Sequence, residues 1–121
     1  MLSSKVILVT GACGLLGQQI VFEIFEQNGR VLATDTDTDK AKMTADIDEV
    51  KEEYNLNESQ ICLSGFSQGC MMSINLGLTS GKKFNCVVGF SGKIIDKNNL
   101  KKRIVSNPNI LLIHGDLDTI V

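Results

Sequence analysis

Three groups of residues in this 121-residue sequence have types and spacings suited to chemistry. The first is Gly65-x-Ser67-x-Gly69, entered from the apolar run Ile61, Cys62 and Leu63. In a Gly-x-Ser-x-Gly element the glycines let a serine occupy a strained strand-to-helix turn, the nucleophile elbow, which lifts its hydroxyl clear of the sheet edge. The second is the run from Thr10 through Gly11, Gly14 and Gly17. A glycine-rich turn between a strand and a helix aims backbone N–H groups and the positive helix end at a phosphate, and an acid after the next strand, here Asp35, accepts hydrogen bonds from a ribose. The third is the alternating carboxylates Asp35, Asp37 and Asp39, which lack a companion histidine or spaced glutamate. They read as a solvated turn, and no metal site is expected.

These residues need a sheet to hold them. Residues 6–9 form a short, wholly apolar run, as in a parallel strand covered on both faces. Leu16, Ile20, Val21, Ile24 and Phe25 then repeat with helical spacing up to Asn28 and Gly29, a stop that suits left-handed backbone. Residues 31–33 make a second strand that ends in Thr34 and Asp35. Met43, Ile47, Val50 and Tyr54 form one apolar stripe of a second helix, with Asp46, Asp48, Glu49, Lys51 and Glu52 on its wet side. The approach to Ser67 is the third strand, followed by a helix through Met71, Met72, Ile74, Leu76 and Leu78 that Gly81 ends. Residues 84–90 give a fourth strand. Asp96 is placed to cap a short helix carrying Leu100 and Ile104, with Lys97, Lys101, Lys102 and Arg103 on its wet face. Pro108 precedes the fifth strand, residues 110–113.

Strands and helices alternating at this length predict an α/β class: a single three-layer, doubly wound domain over residues 1–121 with a five-stranded parallel sheet. The expected order is 2-1-3-4-5, flavodoxin-like, which brings both glycine turns to the switch point between strands one and three. In that order helices two to four share one face and only the first helix is left for the other. An apolar patch over strands three to five is therefore expected, and with it self-association.

A net charge of -2 argues against nucleic acid or an anionic membrane as partner. No run has the apolar length of a membrane span, and the first five residues lack signal-peptide architecture. Cys13, Cys62, Cys70 and Cys86 show no Cys-x-x-Cys spacing, and Cys62 and Cys86 sit in apolar runs. Reduced thiols and a cytoplasmic location follow.

Residues 5 to about 37 resemble the start of the extended short-chain dehydrogenase/reductase family, whose signature is Thr-Gly-x-x-Gly-x-x-Gly; the resemblance implies NAD at Gly11, Gly14, Gly17 and Asp35. It stops there, because those enzymes need a Tyr-x-x-x-Lys pair and Tyr54 is followed at that spacing by Glu58. From about Asp48 the chain resembles the acyl-protein thioesterases and phospholipase/carboxylesterases of the α/β-hydrolase fold. The residues that carry this are 54–69, the strand end Phe90-Ser91-Gly92, and Ile113, His114, Gly115, Asp116 and Asp118. The resemblance implies that Ser67 is the nucleophile, the Gln68 N–H an oxyanion donor and Asp118 the triad acid. His114, the only histidine, precedes that acid instead of following it, where the family carries a histidine that is not the base.

Two half-motifs without their completions point to a man-made chimera joined around residues 38 to 48, with residues 1–40 from one source and 45–121 from the other. The expectation is a folded scaffold that is not an enzyme and needs no cofactor. The alternatives are a weak serine esterase or thioesterase remnant, a module that binds NAD, AMP or phosphate through the turn from Gly11 to Gly17, and a fragment completed by a partner chain.

Overall fold

The computed structural model describes residues 2–3, 5–34 and 40–116, with backbone alone for residues 40–43. Asp35, Asp37, Asp39, Asp118 and the Met43 side chain therefore lie outside the described residues.

Five parallel strands, β1 (Val6–Thr10), β2 (Arg30–Thr34), β3 (Ile61–Phe66), β4 (Cys86–Phe90) and β5 (Asn109–Ile113), stand in the order β2-β1-β3-β4-β5, as expected. Four helices connect them: α1 (Leu15–Glu26), α2 (Lys40–Tyr54), α3 (Gln68–Thr79) and α4 (Lys97–Arg103). The interior position of β1, with Val6 opposite both Arg30 and Ile61, explains why all five of its residues are buried.

Strand alternation sorts the core into two layers. Leu8, Leu63 and Val87 meet Ile47 of α2 and Cys70, Ile74 and Leu76 of α3 on one side. Ile7 and Val9 meet Ala12 of the β1–α1 turn and Ile24 of α1 on the other, with Ile20, Val21, Val31 and Cys62 packed alongside. Each fully buried Leu, Ile or Val contributes about 1.5–3 kcal/mol relative to exposure, so the side carrying α2 and α3 holds most of the hydrophobic stabilisation.

Element ends follow local backbone preference. After α1 the left-handed residue is Asn28, at φ 57°, and the Gly29 N–H returns to the Ile24 carbonyl at 2.9 Å. Gly81, at φ 73°, follows α3 in the same left-handed backbone state. Asp96 stands at the N-cap of α4 but caps through its main chain: its carbonyl accepts from the N–H groups of Asn99 and Leu100, while its carboxylate receives Asn99 Nδ2 at 3.0 Å. The fourth strand begins at Cys86, two residues later than the apolar run suggests, because Phe84 turns its ring into the core and the Asn85 N–H bonds the Ile61 carbonyl at 2.9 Å.

Ile47 and Val50 of the α2 stripe are buried, whereas Tyr54 is 44% exposed and carries the Arg30 guanidinium 5.0 Å over its ring. On the wet side Lys51 pairs with Glu58, and Lys82 with Asp48, tying α2 to the 3-10 turn Glu58–Gln60 and to the segment after α3.

The face opposite α2 and α3 is covered mainly over β1 and β2. On β5, Leu111 is 56% and Ile113 47% exposed, next to half-buried Val88 and Phe90 and partly exposed Phe66. No helix among the described residues is long and apolar enough to cross a membrane. Nor do the described residues contain a group of three or more His, Cys, Asp or Glu able to hold a metal ion.

Candidate active site

At the carboxyl end of β3 the chain turns into α3 through a single residue. Ser67 has φ 52° and ψ -113°, a backbone state that side-chain-bearing residues avoid. Strain of this kind costs about 1–3 kcal/mol and persists only where the surroundings enforce it. Three contacts enforce it here. The Ser67 N–H donates to the Phe90 carbonyl at 2.9 Å, fastening the turn to the end of β4. Its carbonyl accepts from the Met71 N–H at 3.1 Å, which starts α3. Thr10 closes the turn from below.

Thr10 explains both glycines of the motif. A Cβ on Gly65 would lie 2.2 Å from Thr10 Oγ1 and 2.3 Å from the Gly69 carbonyl carbon, and a Cβ on Gly69 would also meet Thr10 Oγ1 at 2.2 Å. Only bare backbone fits around that threonine, whose hydroxyl donates to the Ser64 carbonyl at 3.2 Å. In the sequence Thr10 stands only at the start of the neighbouring glycine turn; its fit into this motif arises from the pairing of β1 with β3.

Ser67 is half-buried and Gln68 exposed. Gln68 is the first residue of α3, so its N–H has no partner within the helix and is available to an oxyanion beside the serine. The next strand end packs underneath: a Cβ on Gly92 would lie 2.3 Å from Cys70 Sγ, and the Ser91 N–H bonds the Ile113 carbonyl at 2.8 Å. Burial pushes the Cys70 thiol above its ordinary range despite a hydrogen bond from the Gly92 backbone.

The β1–α1 turn lies beside this elbow, with Gly11 at the Phe66 carbonyl. Its glycines have steric duties. Gly11 takes φ 72°, and a Cβ on Gly17 would sit 2.0 Å from the Gly11 carbonyl oxygen. Gly14 is the N-cap of α1 without a side-chain cap, and its N–H bonds the Gly11 carbonyl at 3.2 Å. The Ala12 N–H is taken by the Thr34 carbonyl at 3.0 Å and the Cys13 carbonyl by Gln18 Nε2 at 2.7 Å. Ser67, Gln68, Gly11, Gly14 and Gly17 thus share one sheet end; Asp35 and Asp118 lie outside the described residues. His114 follows β5, two strands from β3, or roughly 10 Å across at ordinary strand spacing.

Residues 22–121 match the family model described as Phospholipase/Carboxylesterase. Among curated proteins, acyl-protein thioesterase 1 of Aspergillus fumigatus is 37% identical over 79 residues, covering 60% of this chain. The chain spans only 33% of that relative's length. Among solved structures, the crystal structure of esterase PE8 superposes with a TM-score of 0.78 over 98% of this chain and 71% of that one, at 23% identity, and so shares the fold.

These findings correct two expectations. The family match begins inside α1 and spans residues 38–48, so it supports neither a dehydrogenase-derived half reaching to residue 40 nor an engineered join there. The expectation of a scaffold that is not an enzyme is overturned: the family, the curated relative and the structural neighbour are all named for hydrolases.

Proposed function

The chain belongs to the phospholipase/carboxylesterase family, and from that premise we propose that it performs serine-dependent hydrolysis of carboxylic esters or thioesters, with Ser67 as nucleophile. The observation that carries this reading is the strained backbone of Ser67, held at φ 52° between the Phe90 carbonyl and Thr10. Fold stability gains nothing from that strain, whereas a nucleophile gains an exposed hydroxyl.

In the proposed reaction Ser67 Oγ attacks the acyl carbon, the carbonyl oxygen becomes an oxyanion facing the Gln68 N–H, and the alcohol or thiol leaves with a proton. Water then attacks the acyl-serine and returns the hydroxyl. Acyl transfer of this kind needs no cofactor. Asp118 is the proposed acid of the triad. The sequence has a single histidine, His114, and its place beside β5 does not make it the base for Ser67.

The test is a fluorophosphonate label followed by peptide mass mapping, together with p-nitrophenyl ester hydrolysis by the wild type and Ser67→Ala. Label on Ser67 and loss of hydrolysis in the variant support the proposal. Equal rates with no adduct on Ser67 would eliminate it.

A further inference from the structure

Cys62 and Cys86 are registered neighbours on β3 and β4, and their Sγ atoms lie 3.2 Å apart. Neither is in a disulfide. Both are half-buried, on the sheet face that α1 covers incompletely, and Cys62 packs against the apolar layer of Ile7, Val9 and Ile24. The proposed hydrolysis uses neither sulfur.

We propose that Cys62 and Cys86 are a dithiol pair that closes to a reversible inter-strand disulfide under oxidants of the peroxide class. The chemistry balances without any group from the protein beyond the two thiols. One sulfur attacks hydrogen peroxide, breaking the O–O bond, and becomes a sulfenic acid with release of water. The second sulfur attacks the first, the S–S bond forms, and the sulfenic oxygen leaves as a second water. Both thiol protons end in water; two sulfurs are oxidised by one electron each while peroxide takes up two electrons. Because the second thiol already touches the first, condensation outruns further oxygen addition.

The geometry also sets how firmly the bond would hold. Adjacent strands keep Cα atoms about 4.8 Å apart, inside the span that disulfides bridge, and the sulfurs need to move from 3.2 Å to about 2.05 Å. In a parallel pair, however, the two Cα–Cβ bonds run side by side, and the Cβ atoms stay farther apart than a relaxed disulfide prefers. The bond is therefore strained and easily reduced, the kind that serves as a switch and not as a staple. Burial and the Cys86 thiol hold the Cys62 thiol well above its ordinary range, so that sulfur rests as the thiol and reacts slowly with oxidant. Closure would draw β3 and β4 together upstream of Ser67 and Phe90, the two residues whose hydrogen bond holds the elbow.

The experiment uses the full chain carrying Cys13→Ser, which removes the exposed cysteine. After hydrogen peroxide, the expected product is a chain lighter by two hydrogens with a Cys62–Cys86 linked peptide, restored by dithiothreitol. Stepwise oxygen addition to separate cysteines, or linkage through Cys70, would overturn the proposal. Phenylarsine oxide gives a second readout without oxidation, since arsenic(III) bridges two neighbouring thiols with loss of one water. One arsenic per chain is expected, lost in Cys62→Ser and in Cys86→Ser; no uptake by the parent chain would count equally against the pair.

Discussion

The Ser67 N–H donates to the Phe90 carbonyl at 2.9 Å, so the proposed nucleophile is held by the end of a different strand from the one that carries it. β3 delivers the serine, β4 fixes its peptide, and Thr10 of β1 fills the space beneath. The elbow is a product of three strands, and perturbing any of them should be felt at the hydroxyl.

Replacing Ser67 by glycine should raise stability while ending acyl transfer. Glycine adopts positive φ without the Cβ conflict, so Ser67→Gly is expected to gain about 1 kcal/mol. Urea denaturation followed by circular dichroism measures it; a variant less stable than the parent would show that the turn is not strained.

Soluble imidazole should raise Ser67-dependent hydrolysis by acting as a general base, because His114 after β5 is not placed to serve Ser67. A positioned general base contributes about 10²–10⁴-fold, and a diffusing one recovers a fraction, on the order of tenfold at high concentration. The quantity to follow is the difference in ester hydrolysis between the parent and Ser67→Ala, since imidazole itself cleaves activated esters. A difference that does not grow with imidazole would mean that a base is already in place.

Acid should weaken the ties between α2 and its neighbours. The Lys82 ammonium beside Asp48 holds its carboxyl below the ordinary carboxylate range, and Lys51 does the same for Glu58. Groups lowered in the folded state stabilise it above their unfolded pKa, near 4, and that contribution is lost as pH falls through the lowered values. Lys51 is raised, chiefly by Glu58, so its share is present below about 10.4 and disappears only as pH climbs beyond its raised value. Exposed pairs of this kind contribute about 0.2–1 kcal/mol each. Urea midpoints between pH 7 and pH 3 should fall less steeply in a Lys51→Ala, Lys82→Ala double variant than in the parent.

The uncovered face over β4 and β5 should drive self-association. Leu111 and Ile113 stand 56% and 47% exposed beside Phe66, Val88 and Phe90, and among the described residues β5 is an edge strand of the sheet. Light scattering should report mass that rises with concentration, and a Leu111→Lys, Ile113→Lys double variant should remain monomeric. A parent chain that is monomeric at high concentration would remove the expectation.

The α/β class, the elements and the elbow were legible in the residues because each rests on local preference: buried apolar runs, helical repeats and glycines that only certain turns require; the strand order was an expectation from topology rules for such folds. At the β1–α1 turn local spacing left two readings open. Gly11, Gly14 and Gly17 have the spacing of a phosphate cradle, but that spacing also suits a helix that starts tightly against its own strand, as the contact between Gly17 and the Gly11 carbonyl shows.

What sequence alone determined was which segments become strands and helices, and where a serine would be lifted out of the sheet. Tertiary structure decided what those segments touch: Thr10 beneath both motif glycines, Phe90 holding Ser67, and Cys62 against Cys86. Each of these pairs joins residues at least 23 positions apart, as the numbering in the sequence shows. Such contacts depend on the register between strands, which the packing of both sheet faces fixes together and no single stretch of chain encodes.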